Sequence, residues 1–292
     1  MRRLFLTFFT LFFMHSLSWG SENFTESTIK FSDGSTVTRF HYSDIDSTQT
    51  AAKKHLNPGQ WSVVTADSQS KGYGFWGRCW ESPVGNLFST FCVHLDMLHM
   101  SRLSWVPPFV GLAVSDTLVQ LGVPNEKIGL RWINNVLVDE KKIAGIIVET
   151  DRKKTGLMLK IGVGINVDVA DDVLGAIDQP ATSLHQALKT PPSVDDVLKT
   201  LVQKLRDRFL AFEECRSPIS DYREKLLYLG EEVTIREGNL TMNRKKEKEY
   251  NFIETKGTFL GVSDDGFLIL GIPDGKKAFI SAEVVPRKKD DL

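Results

Sequence analysis

The chain has 292 residues, of which 41% are hydrophobic and 25% are charged, and its formal net charge is −1. These values are those of a soluble globular protein with one large domain or two smaller ones. They exclude the basic surface that nonspecific nucleic-acid binding requires. Three cysteines, Cys79, Cys92 and Cys215, exclude a full disulfide framework and have no metal-ligand spacing.

A hydrophobic leader opens the chain at residues 1–20. A basic start precedes an apolar stretch at 4–14, and the small residues Ser18 and Gly20 follow. This pattern is typical of a secretory signal. The apolar stretch is too short to span a bilayer, so no stable membrane insertion is expected. A start site assigned too far upstream, with translation beginning at Met14, would also explain the leader, and both explanations stay open.

An α+β domain is predicted over residues 29–215. Its first helix begins at Ser47 and ends near residue 55, because a serine at the N-cap accepts hydrogen bonds from first-turn amides. Polar Asp139-Glu140 is predicted as a turn. The other predicted elements are strands at 29–42, 61–66, 86–94, 128–132, 142–149 and 157–167, and helices at 108–121 and 193–214.

The pattern changes to short strands after residue 228. Strands are predicted at 233–235, 256–262 and 267–272, separated by Asp265-Gly266 and Asp274-Gly275, dipeptides that favour hairpin turns. Strands at this spacing predict a small barrel over residues 228–288. The charge run at 243–249 mixes both signs, which indicates a solvated loop in a long hairpin connection.

A glycine-rich segment at 68–90 carries Gly72, Gly74 and Gly77, followed by Arg78. Glycines at such spacing let the backbone approach a ligand and adopt positive φ. Free amides in a loop of this kind form a nest for an anion such as phosphate. Alone, the segment is more often a simple turn.

Two apolar strand segments follow the loop. The first has Lys142 before a small Ala144-Gly145 step, and the second is interrupted by Gly162 and Gly164. Alone, Lys142 is typical of a solvated strand end, and the glycines are typical of a bulge or tight packing. The three segments together predict a sheet whose glycines leave room for a ligand, with a cation and a nest for its charge.

In this order the segments resemble those of biotin protein ligases, over residues 40–284. Lipoate ligases share the architecture but lack the second and third segments in this form. The resemblance implies a mixed sheet flanked by helices and an SH3-like C-terminal β-barrel. It rests on Asp46-Ser47-Thr48-Gln49, Gln69, Gly72, Gly74, Gly77, Arg78, Trp80, Ser82, Pro83, Asn86, Leu87, Arg131-Trp132-Ile133-Asn134-Asn135, Lys142-Ile143-Ala144-Gly145-Ile146 and Gly162-Val163-Gly164-Ile165-Asn166.

The resemblance implies a two-step reaction. Biotin is activated with ATP and Mg²⁺ to biotinyl-5′-AMP, and the biotinyl group then passes to a lysine of a biotin carboxyl carrier protein. Lys142 is the implied catalytic residue, which stabilises charge on the phosphate. No metal ligand is assigned. The implied biotin-binding residues are Ser47, Thr48, Gln69, Gly72, Tyr73, Phe75, Gly145, Ile147 and Gly162. The implied nucleotide-binding residues are Gly74, Gly77, Arg78, Trp80, Arg131, Asn134 and Asn166.

The partner that the resemblance implies is the biotin carboxyl carrier domain of a biotin-dependent carboxylase. A homodimer with a second copy of this chain is also predicted. DNA is not an expected partner, because too few residues separate the leader from the start of the resemblance to form the winged helix of some relatives. The reaction needs ATP and a carboxylase acceptor. The protein is therefore expected in the cytoplasm, although its leader resembles a signal peptide.

The chain departs from the family pattern at several positions. Tyr73 and Phe75 replace two loop arginines, while Arg131, Ile133 and Asn135 replace the lysine, proline and aspartate of Lys-Trp-Pro-Asn-Asp. An arginine-to-phenylalanine change removes a fixed cation and its donors. An aspartate-to-asparagine change removes a charge that helps to hold Mg²⁺. Two alternatives therefore stay open: a degenerate relative that binds biotin or its adenylate with weak or no ligase activity, and a ligase for another acyl acid such as lipoate.

Overall fold

The computed structural model describes residues 24–57, 59–153, 156–177, 179–242 and 248–287. The predicted leader at 1–20 and most of the charge run at 243–249 lie outside the described residues. Within the described chain no helix is long and apolar enough to cross a membrane.

The larger sheet has eight strands. They are β1 (Phe24–Lys30), β2 (Thr36–Ile45), β3 (Ser62–Gln69), β4 (Leu87–Asp96), β5 (Ile128–Arg131), β6 (Asn135–Val138), β7 (Lys141–Lys153) and β8 (Gly156–Ile165). Their order across the sheet is β1-β2-β3-β4-β8-β7-β6-β5. The β2–β3 pair is parallel and the other neighbours are antiparallel, so the sheet is mixed, as predicted.

Helices flank this sheet. The α-helices are α1 (Thr48–Ala51), α2 (Val106–Gln120), α3 (Asp171–Ala176), α4 (Leu184–Leu188), α5 (Val194–Glu213) and α6 (Ile219–Glu224). Short 3₁₀ helices lie at Ala52–His55, Phe75–Gly77, Met97–Trp105 and Asn125–Lys127. Helices α2 and α5 pack together, with the rings of Phe109 and Phe212 5.3 Å apart, and both contribute to the core beneath the sheet. The cavity described below lies against the opposite face of the sheet.

The C-terminal sheet is antiparallel throughout. Its strands are β9 (Glu232–Met242), β10 (Lys248–Val262), β11 (Leu268–Ile272), β12 (Gly275–Phe279) and β13 (Glu283–Pro286), in the order β12-β11-β10-β9-β13. Gly266 and Gly275 have φ of 81° and 131°, so both predicted turns use a glycine where other residues are strained. Five antiparallel strands in this order agree with the SH3-like C-terminal domain that the resemblance implies.

Three strands, β6, β12 and β13, and three short α-helices were not predicted. Strand β6 lies between β5 and β7 and pairs with both. Asp139 and Glu140 therefore join β6 to β7. The prediction that this turn joins the strand at 128–132 directly to the strand at 142–149 was wrong. Their φ values of 49° and 61° are the two positive values of a type I′ hairpin turn. The short helices α3, α4 and α6 give too little periodicity to stand out in the sequence.

Side chains of the larger domain hold the C-terminal sheet in place. The buried Trp132 donates from Nε1 to the Gly266 carbonyl over 3.0 Å. Arg223 donates to the Val262 carbonyl over 3.0 and 2.7 Å, and Trp105 donates to the Asp264 carbonyl over 3.0 Å. These bonds converge on the β10–β11 turn, which places β13 beside the cavity.

The N-cap of α5 gives a stability prediction. Ser193 Oγ accepts the Asp196 amide over 3.1 Å. We expect Ser193→Ala to lower the free energy of unfolding by about 1 kcal/mol, because a first-turn donor loses its partner. Urea denaturation measures the difference. Ser193→Thr, which keeps the hydroxyl, is the control, and an alanine variant as stable as the threonine variant contradicts the role of the cap.

Candidate active site

A cavity of about 490 Å³ lies against the outer face of the larger sheet. Most residues of the predicted site line it, although they come from distant parts of the chain. They are Ser47, Thr48, Gln69, Tyr73, Gly74, Phe75, Arg78, Trp80, Arg131, Asn134, Lys142, Gly145, Ile147, Gly162 and Asn166. Gly72 and Gly77 belong to the same loop but do not line the cavity.

Glycines form the floor of the cavity. In the register of β7 and β8, Gly145 lies opposite Gly164 and Ile147 lies opposite Gly162. Alternate residues of a strand point to the same face, so these positions all face the cavity. Missing side chains along two adjacent strands let Trp80 and Gln49 lie directly on the sheet, and the glycines still line the cavity.

Trp80 occupies one end of this floor. A Cβ atom on Gly145 would lie 2.7 Å from Trp80 Cζ3, and one on Gly164 would lie 2.7 Å from Trp80 Cε2. The Lys142 ammonium lies 5.0 Å from the Trp80 ring centroid, within cation–π range. The structure thus places Gly145 under Trp80 at the lysine end of the cavity, whereas it was predicted to form the biotin slot.

Polar side chains of fixed orientation occupy the other end. The amide and hydroxyl of Thr48 donate to Gln69 Oε1 over 2.8 and 3.1 Å, and Gln69 Nε2 donates to Ser82 Oγ over 3.0 Å. Thr90 Oγ1 lies 3.0 Å from Gln49 Oε1. Each group constrains its neighbour, so this end presents a preorganised set of donors and acceptors.

The N-cap of α1 holds this polar end in position. Ser47 has extended backbone angles and its hydroxyl accepts the Gln49 amide over 3.2 Å, as the sequence predicted. A Cβ atom on Gly162 would lie 2.8 Å from Gln49 Oε1 and 2.6 Å from Ile147 Cγ2. Gly162 therefore lies at the Gln69 end, two residues along β8 from the glycine beneath Trp80.

An ion pair beyond Gly162 was missed by the sequence analysis. The buried Lys160 ammonium lies 2.8 Å from Glu149 Oε2, and Gln49 Nε2 donates to the same oxygen over 3.1 Å. The Tyr73 hydroxyl donates to Glu149 Oε1 over 3.2 Å. Burial and the neighbouring Glu149 charge raise the pKa of Tyr73 to about 12, so its phenol is neutral at physiological pH. Strand alternation was the available signal, since Glu149 and Lys160 continue the face that carries Ile147 and Gly162.

The glycine loop closes on itself and does not offer all its amides to a ligand. The Gly74 amide donates to the Arg78 carbonyl over 2.9 Å. The Gly77 amide donates back to Gly74 over 3.0 Å. The Trp80 amide donates to the Gly72 carbonyl over 3.0 Å. The Gly74 and Gly77 amides, which were predicted to form part of an anion nest, therefore have backbone partners in this loop, because its hairpin-like path brings carbonyl groups next to them.

Gly72 and Gly77 shape the loop. A Cβ atom on Gly72 would lie 2.5 Å from Ser82 Oγ and 2.6 Å from the Trp80 carbonyl oxygen, so a side chain there has no room. Gly77 has a φ of 71°, which favours glycine. These two glycines therefore set the path of the backbone and do not line the cavity. They were predicted to contact biotin and the nucleotide directly.

Arg78 bonds to the C-terminal domain. Its two terminal nitrogens donate to Glu283 over 2.6 and 2.7 Å in a bidentate pair. Burial alone would raise the pKa of Glu283, but the hydrogen bonds and charge of Arg78 outweigh it and hold the pKa below its usual value. Both terminal nitrogens of Arg78 therefore have a carboxylate partner, and its nucleotide-binding role stays a prediction.

Two buried donors at the lysine end have no partner among the described residues. Trp80 Nε1 and Arg131 Nε are both enclosed and without a hydrogen bond. Arg131 also donates from its other end to Gln179 over 2.8 Å, and burial lowers the pKa of its guanidinium. Buried donors of this kind fit a ligand that brings acceptor oxygens or nitrogens, as a nucleotide does.

Comparison with known proteins gives two family matches. The biotin/lipoate A/B protein ligase family matches residues 42–166, and the biotin protein ligase C-terminal domain matches residues 254–287. A Paracoccus denitrificans protein named biotin–[acetyl-CoA-carboxylase] ligase is 30% identical over 260 residues, which cover 82% of this chain and 96% of that protein. The chain belongs to the biotin protein ligase family.

Further relatives of this family are more distant in sequence. Biotin–protein ligase 2 of Arabidopsis thaliana is 26% identical over 239 residues, which cover 78% of this chain and 70% of that protein. The biotin protein ligase of Aquifex aeolicus, solved in complex with biotin and ATP, is 27% identical with a TM-score of 0.67, covering 86% of this chain and 99% of that one.

Asparagines of the family motifs support the site from below. Asn134 donates from Nδ2 to the Ile146 carbonyl over 3.0 Å and accepts from Asn135 over 2.9 Å. Asn166 donates to the Thr182 carbonyl over 2.9 Å. Their amide groups fix the backbone at the lysine end.

Among the residues described, no three His, Cys, Asp or Glu side chains are grouped so as to hold a metal ion.

Proposed function

We propose that this biotin ligase family member activates biotin with ATP and attaches it to a lysine of a biotin carboxyl carrier domain. In the first step a carboxylate oxygen of biotin attacks the α-phosphorus of ATP, an acyl–phosphate bond forms, and pyrophosphate leaves. In the second step the lysine amine attacks the acyl carbon, an amide bond forms, and AMP leaves. The observation that supports the proposal is one cavity with a polar end and a cationic end, joined by a glycine floor.

The polar end suits the ureido ring of biotin. A ureido group carries two N–H donors and one carbonyl acceptor, so it needs partners of both kinds. Thr48 and Gln69 supply hydroxyl and amide groups whose directions are fixed by their own hydrogen bonds. A site that matches each polar group of a ligand discriminates strongly against analogues that lack them.

The cationic end suits the phosphates. Lys142 lines the cavity and its ammonium lies 5.0 Å from the Trp80 ring centroid. We propose that the biotin carboxylate meets the α-phosphate beside this ammonium. Preorganised donors are most effective where charge develops during attack. Trp80 and Arg131 add the unpartnered donors for the nucleotide. Mg²⁺ would bind together with ATP, because phosphate oxygens and water are the ligands that this ion prefers.

The partner is the carrier domain of a biotin-dependent carboxylase, since the family acts on such proteins. We also propose that the reaction takes place in the cytoplasm, which supplies both ATP and the acceptor. A homodimer stays a prediction from the family resemblance, and sedimentation of the purified protein measures it.

Incubation of the purified protein with ATP, Mg²⁺, labelled biotin and a carrier domain tests the proposal. We expect label on the carrier lysine, and no label when ATP is omitted. Lipoic acid in place of biotin is the control for the acyl group. Biotin binding without transfer would instead identify a degenerate relative, and transfer of lipoate in preference to biotin would identify a ligase for another acyl acid.

Phe75 gives a prediction about the intermediate. It lines the cavity where many relatives place a loop arginine, so it cannot form a charged hydrogen bond to the adenylate. Such a bond is worth about 1.5–3 kcal/mol. We expect Phe75→Arg to lengthen the half-life of enzyme-bound biotinyl-adenylate by about tenfold or more. A rapid gel-filtration assay for retained intermediate measures it, and an unchanged or shorter half-life shows that the aromatic loop already retains the adenylate by packing.

A further inference from the structure

Trp76 lies at the tip of the glycine loop and points away from the cavity, towards the C-terminal domain. A Cβ atom on Gly238 of β9 would lie 2.6 Å from Trp76 Cε2, so the indole sits in a notch that only glycine leaves open. The Phe252 ring of β10 lies 5.1 Å from the Trp76 ring. Two strands of the C-terminal sheet therefore form the seat of this side chain.

The backbone of Trp76 shows that this position is imposed by its contacts. Its φ of 59° lies in the left-handed region, which bulky residues rarely adopt. A conformation of that kind persists only where the surroundings over-determine it. The notch at Gly238 and the ring of Phe252 supply those surroundings.

The rest of the loop is fastened at both sides of Trp76. Arg78 forms its bidentate pair with Glu283 and lies 5.4 Å from the Trp76 ring centroid. Tyr73 is bonded to Glu149 on the larger sheet. The loop thus bridges the two domains across the mouth of the cavity.

Phe75 transmits the position of Trp76 to the cavity. The two rings stack with centroids 4.6 Å apart, and Phe75 lines the cavity whereas Trp76 does not. Movement of the indole out of its notch would remove the support behind Phe75.

We propose that Trp76 is a positioning residue that seats the glycine loop on the C-terminal domain before any ligand binds. The seated loop holds Phe75 over the cavity and slows the escape of the acyl-adenylate. Only this last consequence rests on the proposed function.

Limited trypsin digestion without ligands tests the seat directly. Lys71 and Arg78 are exposed cleavage sites on either side of the loop tip. We expect Trp76→Ala and Gly238→Val to raise the rate of cleavage at these sites about three- to tenfold, because aromatic contacts of this kind contribute that much to closure. Trp76→Phe should keep most of the protection. Equal cleavage rates in wild type, Trp76→Ala and Gly238→Val would overturn the proposal.

A matched pair on β10 keeps the test valid if Trp76→Ala does not fold. Phe252 contacts Trp76, whereas its neighbour Ile253 is 63% exposed and points to the other side of the strand. Phe252→Ala should loosen the loop and Ile253→Ala should not. Equal cleavage in this pair also contradicts the seat.

The half-life of bound biotinyl-adenylate tests the consequence. We expect Trp76→Ala to shorten it about three- to tenfold while the rate of adenylate formation changes less than twofold. A faster cleavage with an unchanged half-life overturns the retention role and leaves the seat. If wild type forms no adenylate, the proposed function fails, and the digestion result still decides whether Trp76 seats the loop.

Discussion

Replacing Lys142 with alanine is expected to lower the rate of adenylate formation by about 10²- to 10³-fold, the usual loss when one donor to a developing charge is removed. Its ammonium lies 5.0 Å from the Trp80 ring centroid at the lysine end of the cavity. The strand around it is held by backbone bonds to residues 180 and 182, so the variant should fold normally. Single-turnover formation of biotinyl-adenylate measures the effect.

The neighbouring lysine is the control for this substitution. Lys141 is exposed, whereas Lys142 is half-buried in the cavity wall. Lys141→Ala should leave the rate within twofold of wild type. Full ligation activity in Lys142→Ala would show that Lys142 is not the catalytic residue.

Substitutions at two glycines of β8 are expected to affect the binding of ATP and of biotin separately. A Cβ atom on Gly164 meets the rigid Trp80 indole at 2.7 Å, and one on Gly162 meets Ile147 and Gln49 at 2.6 and 2.8 Å. Overpacking of this kind costs about 1–3 kcal/mol, which is about one to two decades in affinity. We expect Gly164→Ala to weaken ATP binding and Gly162→Ala to weaken biotin binding, each by about that amount.

Titration calorimetry with each ligand alone measures both variants. The two positions serve as controls for each other, because they lie on one strand and face the same way. Equal losses of both ligands in both variants, with a lower thermal midpoint, would mean that these glycines only pack the sheet.

Much of the fold could be predicted because its signals are local. The Ser193 cap with the periodic apolar residues of α5, and the two glycine turns of the C-terminal sheet, each depend on a few neighbouring residues. Strand β6 could not be predicted in the same way. Its four residues are apolar except for Asn135, and only Trp132, Ile133 and Asn134 separate it from β5, so pairing with β5 and β7 defines it and no local pattern does.

In the candidate site, too, the residues set by a local pattern could be predicted and those set by distant contacts could not. Gly164 faces the cavity because strand alternation places it there. Lys142 lies three residues before Gly145 and reaches the same cavity because the register of β7 shifts between them. The partner of Arg78 could not be found from sequence, since Glu283 lies 205 positions away and on another domain. Similarly, the amides of the loop are consumed by its own turn, which depends on the path of the backbone and not on its glycine content.

Biotin-dependent exchange of labelled pyrophosphate into ATP, without any acceptor protein, tests the central claim most directly. Exchange reports reversible formation of the acyl-adenylate in this cavity and nothing later. We predict exchange that requires biotin and Mg²⁺, is not supported by lipoic acid, and falls by about 10²- to 10³-fold in Lys142→Ala. Absence of exchange at saturating biotin and ATP, or exchange that is as fast without biotin, would contradict the assignment.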